Sequence, residues 1–310
     1  MKTYQTVILI LTLLKTSLSA EIQDFFKPAL NKSENSKMAG IDYIYMINLD
    51  ERPEKFSQSK NQLEAYNIYP YRFSAVNGWQ IPLECINSLG ITYISTMPES
   101  LKGTRYLAED EGQPRHEPMI LGENYFCYHM SRGAIGIVLS HLSILQDAYN
   151  AGYQTIWVME DDIEVIQDPN MLTDLINQLD LLVGEKKWDV LFTDPDTKNQ
   201  SGNYVDCSSY APRPNFKPAH PEKFASKKLV DPNFRKIGAR YGAYSMIIRR
   251  PGIKKLLDFI LKYRLFLPYD LEYIFPNNIH LYSLTFDVVS TLPKALSDNG
   301  KPNYINKKSE

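Results

Sequence analysis

Eight residues constrain this chain more than any other stretch: Thr155-Ile156-Trp157-Val158-Met159-Glu160-Asp161-Asp162. The first five are apolar, β-branched or aromatic, which predicts a buried strand. Three carboxylates follow without a break. A packed core does not accept three adjacent negative charges, because desolvating them unpaired is costly. The strand therefore ends in water or beside cations. In open α/β sheets, ligands bind outside the carboxyl ends of the strands. A carboxylate cluster there can hold a hard divalent cation through oxygen ligands, and that cation can hold a diphosphate. The same residues would also serve as a loop start and a helix cap.

The flanking sequence alternates strands and helices. Residues 41–49 read as a first strand, broken by Asp50-Glu51-Arg52-Pro53, with Pro53 suited to a first helical turn. Phe56, Leu63 and Tyr66 give that helix a sparse apolar face. Residues 71–76 read as a second strand, ended by Asn77-Gly78. This β-α-β start predicts a parallel pair. Residues 133–150 form a strong helix pattern, with Ile135, Val138, Leu139, Leu142 and Leu145 at three-and-four spacing and Gly152 as its stop. Asp168-Pro169 opens another, with Leu172, Leu175, Ile176, Leu179 and Leu182 on one face. Residues 189–193 form a further strand, and Asp194 and Asp196 lie just past it. They share an edge with the first acidic cluster if the strands are parallel. Residues 241–249 and 280–290 read as later strands, separated by a helix opening at Pro251. The pattern predicts an α/β fold, a mostly parallel central sheet flanked by helices. Residues 81–131 read as an irregular excursion with short helices, of the kind that forms lids or acceptor-binding segments. The proline-rich stretch 195–231 reads as a loop able to close over a ligand.

A net charge of −2 over 310 residues provides no basic field for nucleic acid. The 21 tyrosines set the chain apart from disordered proteins. Lys2, the apolar run 7–14 and the small residues Ser17 and Ser19 before Ala20 read as an export signal over residues 1–19. The apolar run is short for a bilayer span, and an uncleaved anchor with membrane association is the alternative. Residues 20–40 read as a polar linker and 41–300 as one domain carrying the 81–131 insertion. The lysine-rich end 301–310 reads as a frayed, disordered tail. Cys85, Cys127 and Cys207 lack metal-ligand spacing and read as free thiols.

The segment 133–162, GAIGIVLSHLSILQDAYNAGYQTIWVMEDD, resembles glycosyltransferase family 25, which includes bacterial lipopolysaccharide glycosyltransferases and procollagen galactosyltransferases. The shared features are the Gly-rich helix start, the triplet Leu139-Ser140-His141 and the strand ending in Glu-Asp-Asp. Weaker matches follow in order along residues 41–299. They are Ile47-Asn48-Leu49-Asp50 with Arg52, Phe73-Ser74-Ala75-Val76-Asn77-Gly78, Trp188-Asp189-Val190-Leu191, Gly242-Ala243-Tyr244, Pro268-Tyr269-Asp270 and Ser297-Asp298. Asn77 stands where Asp is usual, and residues 85–129 match nothing. The resemblance implies a GT-A-like nucleotide-binding fold and a nucleotide-sugar donor, with UDP-galactose expected. It also implies inversion at the anomeric carbon and a glycan, lipopolysaccharide or protein acceptor.

Within that reading Asp162 is the expected direct ligand of Mn²⁺ or Mg²⁺, with Glu160 beside it. Glu160 and Asp161 would act through ribose or metal-bound water. Asn48, Leu49, Arg52, Val76, Asn77 and His141 complete the expected donor site, and Arg132 is a second candidate for phosphate. His141 at a helix edge equally suits a packing role. Inversion needs a carboxylate on the face opposite the leaving diphosphate, and Asp270 is the expected general base, with Asp194 as runner-up. Two other functions stay open: an exported, catalytically inactive member that binds a glycan or host partner, and, more weakly, a metal-dependent phosphoesterase.

Overall fold

The computed structural model describes residues 21–293, 295, 297–300 and 302. The expected export signal lies outside the described residues, and so does the tail apart from Pro302. Eight strands form the central sheet: β1 (Tyr43–Asn48), β2 (Tyr71–Ser74), β3 (Thr155–Glu160), β4 (Val190–Phe192), β5 (Lys227–Asp231), β6 (Phe234–Ile237), β7 (Ser245–Arg249) and β8 (Leu281–Leu284). Their spatial order is β5-β6-β8-β4-β7-β3-β1-β2.

The α/β class with flanking helices holds, and the sheet is consistent with a GT-A-like fold. The expected parallel majority does not hold. Strands β2, β1 and β3 run parallel, as do β4 and β8. The other four pairings are antiparallel. The cause is β7. Parallel neighbours need a crossover connection. The chain leaving β4 builds the β5–β6 hairpin and then enters β7 from the edge where β4 ended, so β7 runs antiparallel to β4. Strands β3 and β4 still point the same way, because each is antiparallel to β7 between them. The carboxyl ends of β1, β2, β3 and β4 and the amino end of β7 therefore meet at one edge.

Helices cover both faces. α2 (Arg132–Asn150) and α4 (Arg250–Tyr263) pack Leu139, Leu142, Leu256 and Ile260 against Tyr45, Ile156, Val158 and Met246. α1 (Pro53–Glu64) and α3 (Leu172–Val183) pack Leu63, Leu175, Ile176 and Leu179 against Ile44, Met46, Trp157 and Met159. Neighbouring residues of β1 and β3 thus serve opposite layers, as the two-residue period of a strand requires. A sheet buried on both faces reads as a continuous apolar run, which is why 155–159 shows no alternation. Leu182, expected on the buried face of α3, is exposed.

Residues 81–131 contain short helical turns, as expected, and also a hairpin (Lys102–Tyr106 with Pro114–Pro118) that the sequence did not signal. Residues 21–40 lie on the body rather than apart from it. Ile22 is buried, Lys27 Nζ donates to the Ser74 hydroxyl at 2.9 Å, and Lys32 Nζ pairs with Asp147 at 2.6 Å. Among the described residues no helix is long and apolar enough to cross a membrane.

Candidate active site

Three clefts open along the common edge and meet at the acidic triplet. The first, about 660 Å³ with its mouth, runs between the end of β1, the 75–79 loop and the start of α2, and Glu160, Asp161 and Asp162 line it. The second shares Asp161 and Asp162 and is walled by Arg52, Lys55 and Gln58 of the α1 start. The third shares Glu160 and is walled by Gly242, Tyr244, Tyr269 and Asp270.

The triplet is held from behind. Asn48 donates to Asp161 Oδ2 at 2.6 Å and to the Arg52 carbonyl at 2.8 Å, while its own oxygen accepts from Arg72 at 2.7 Å. A buried amide with all these bonds fixes both the β1 end and Asp161. Burial pushes the Glu160, Asp161 and Asp162 carboxyls each up to about 7. Asp270 adds to the rise at Glu160 and Glu160 to the rise at Asp162, whereas the Asn48 hydrogen bond opposes it at Asp161; Lys55 pulls all three down.

Asp162 Oδ1 is buried without a hydrogen-bond partner. An orphaned carboxylate oxygen in a cleft is costly unless something binds it. Among the described residues no three acidic, histidine or cysteine side chains converge as a ready-made cation cage. A magnesium-like ion does not require one, since it is commonly held by one or two carboxylates plus substrate phosphate and water. Asp162 and Glu160 fit that donor set.

His141 is 1% exposed and lines none of these clefts. Burial pushes its imidazole down to about 3, so the 3.1 Å contact with Glu160 is a hydrogen bond of a neutral ring rather than an ion pair. Its other face stacks on Tyr269, with centroids 4.1 Å apart. His141 therefore stands behind Glu160 instead of facing the donor cleft.

The remaining expected residues separate cleanly. Leu49, Val76 and Asn77 line the first cleft. Asn77 also caps the following turn, its oxygen accepting from the Trp79 amide at 3.0 Å. The Arg52 guanidinium pairs with Asp298 and, at 2.7 Å, with Glu54. Arg132 spends its guanidinium on the carbonyls of Trp79 and Ile81 at 2.6 and 2.7 Å, which makes it a brace for the cleft loop. Asp270 faces the third cleft from the first turn of the short helix Tyr269–Glu272, and the Gly242 amide donates to it at 3.1 Å. Burial raises its pKa.

Asp194 is elsewhere. It is 0% exposed, pairs with Arg240 at 2.6 Å, and accepts from Tyr244 and Ser290 hydroxyls at 2.5 and 2.9 Å. Both oxygens are spent, so no acceptor hydroxyl reaches this carboxylate, and it is corrected from runner-up base to a buried ion-pair residue. Asp196, its neighbour, is tied to Lys227 at 2.6 Å.

Sequence reasoning missed Lys55, Trp79 and Asn299, which all line the first cleft. For Lys55 a signal existed: it follows Arg52 by three residues at a helix start, where such residues share a face.

A family model described as Glycosyltransferase family 25 (LPS biosynthesis protein) matches residues 41–272. A "Glycosyltransferase 25 family member" of Drosophila pseudoobscura pseudoobscura is 25% identical over 55% of this chain and 23% of its own length. Another from Drosophila melanogaster is 28% identical over 45% of this chain and 19% of its own. The human "Inactive glycosyltransferase 25 family member 3" is 22% identical over 52% of this chain and 23% of its own. The chain thus spans about a quarter or less of the length of these curated relatives. The family match takes in well over half of the chain, and the chain belongs to glycosyltransferase family 25.

Proposed function

We propose that the chain is a divalent-cation-dependent glycosyltransferase that moves a hexose from a nucleotide-sugar donor to a hydroxyl of a glycan, lipopolysaccharide or protein, with inversion. Galactose, carried by UDP, is the sugar the family resemblance suggests. The observation that carries the reading is the junction of three clefts at Glu160-Asp161-Asp162, with the orphaned oxygen of Asp162 on a residue that lines two of them. Asp162 and Glu160 would hold Mn²⁺ or Mg²⁺, which supplies Lewis-acid charge where the diphosphate leaves. His141 keeps Glu160 in place, and Asn48 does so for Asp161. Asp270 accepts the proton of the acceptor hydroxyl as that oxygen bonds to the anomeric carbon and the bond to the diphosphate breaks. A carboxyl raised by burial is a better base near neutral pH than an exposed one. The export address read from residues 1–19 belongs to the same proposal and puts the reaction in a secretory compartment or at a membrane.

The human relative named inactive favours a second reading, a member that binds glycans without transfer. Thermal shift separates the two. Stabilisation by UDP that requires Mn²⁺, and that disappears in Asp162→Asn, is expected of the transferase. Stabilisation by glycans with none by any nucleoside diphosphate would favour the binder. Near-wild-type Mn²⁺-dependent UDP binding in Asp162→Asn removes Asp162 from the cation site.

A further inference from the structure

We infer that Lys55 holds the donor's diphosphate and that Asp298 positions it. The inference rests on the transferase reading above and adds a residue to it. Lys55 stands in the first turn of α1, and it lines both the first and the second cleft. Its side chain is only 14% exposed, so the ammonium is held in the wall rather than spread into solvent. The Nζ atom lies 3.2 Å from Asp298 Oδ2.

Asp298 is itself fixed. It is 8% exposed, Arg52 pairs with the same carboxylate oxygen, and the Trp79 indole donates to its carbonyl at 3.3 Å. The next residue is tied down as well, because Ser131 Oγ donates to Asn299. Gly133 makes room for this, since a Cβ there would sit 2.4 Å from the Asn299 carbonyl oxygen. The segment 297–299 is thus bound to the start of α2 and to the α1 turn at once, and it closes one wall of the first cleft.

Charge explains why a cation is needed there. Three carboxylates lining one cleft repel a diphosphate at the distances involved. A divalent ion offsets part of that. Lys55, which lines the first and second clefts, supplies further positive charge, and its field reaches each of the three carboxyls. Lysine binds phosphate as a point charge and does not need the planar geometry of arginine. Arg52, shared between Asp298 and Glu54, serves to hold Asp298.

The test compares UDP with uridine, which lacks the phosphates, by calorimetry in saturating Mn²⁺. Lys55→Gln is expected to weaken UDP about 10- to 100-fold, the usual worth of a charge-assisted hydrogen bond, and to leave uridine unchanged. Lys55→Arg is expected to keep UDP within a few-fold. Asp298→Asn should weaken UDP by a smaller factor, and should add nothing in a Lys55→Gln background, since it acts through Lys55. Equal losses for UDP and uridine, unchanged UDP binding in Lys55→Gln, or additive effects of the two substitutions would overturn the inference. A wild-type protein that binds neither uridine nor UDP overturns the donor reading itself, an outcome distinct from a phosphate-specific failure.

Discussion

Asp270 and Asp194 follow sheet or turn elements at the same edge, yet their surroundings assign them opposite work. Asp270 keeps one face on a cleft. Asp270→Asn preserves shape and an oxygen for the Gly242 amide but cannot take a proton. Donor binding is expected to persist while transfer falls by about two to four orders of magnitude, the worth of general-base catalysis. Asp194→Asn leaves the 1%-exposed Arg240 without its counter-charge. It is expected to cost stability of about 3–5 kcal/mol, as for other broken buried pairs. Parallel denaturant and turnover measurements on the two variants test the contrast; normal turnover by Asp270→Asn sinks the base assignment. The acidic triplet also sets a pH dependence. Carboxyls at about 7 in the folded chain, against about 4 when unfolded, bind protons more tightly in the fold. Their contribution to stability is present below pH 4 and is lost as pH rises through 7. In EDTA, Asp162→Asn should therefore gain on wild type in melting temperature between pH 5 and pH 8. Saturating Mn²⁺ should reverse that order at pH 8, because the cation binds the charged form. A melting difference that does not change with pH would show that Asp162 is not buried as a charge.

At the scale of elements, the Gly-rich start of α2 has a packing reason. A Cβ on Gly136 would lie 2.5 Å from the Val76 carbonyl oxygen and 2.6 Å from the Gly78 amide nitrogen. Both neighbours are backbone and cannot swing away. The helix therefore lies directly against the 76–78 loop, and Ser140, one turn on, accepts from the Val76 amide at 2.8 Å. The loop's position along the first cleft depends on that contact. Gly136→Ala is expected to lower stability by about 1–3 kcal/mol, as overpacking does, and to weaken UDP binding with it. An unchanged melting temperature and unchanged binding would mean that the helix can slide off the loop at no cost. The motif signalled a helix start in the sequence, but its glycines act between elements, on a partner about sixty residues earlier in the chain.

For the whole molecule, local chemistry reached far. The strands 43–48, 71–74 and 155–160 and the long helices follow from residue type, periodicity and capping, each of which acts over a few neighbours. The acidic triplet was legible because three adjacent carboxylates after an apolar run admit few environments. Strand direction was less legible. Nothing local in residues 195–244 fixes the directions in which β6 and β7 run, and those directions turned a parallel sheet into a mixed one. The late segment 297–299 carries little pattern of its own; its place beside Lys55 and the start of α2 exists only after the sheet has brought β1 and β3 together. Asp194 shows the limit most plainly. Its sequence position past a strand end was read correctly, and its role was not, because it is buried, with one oxygen taken by an arginine 46 residues away and the other by the Tyr244 and Ser290 hydroxyls. The sequence by itself determined which segments are strands and helices and where negative charge had to leave the core, since these depend on short-range sterics and desolvation. Tertiary structure alone decided which carboxylates face a cleft, because that depends on partners that only the completed sheet edge brings within hydrogen-bond reach.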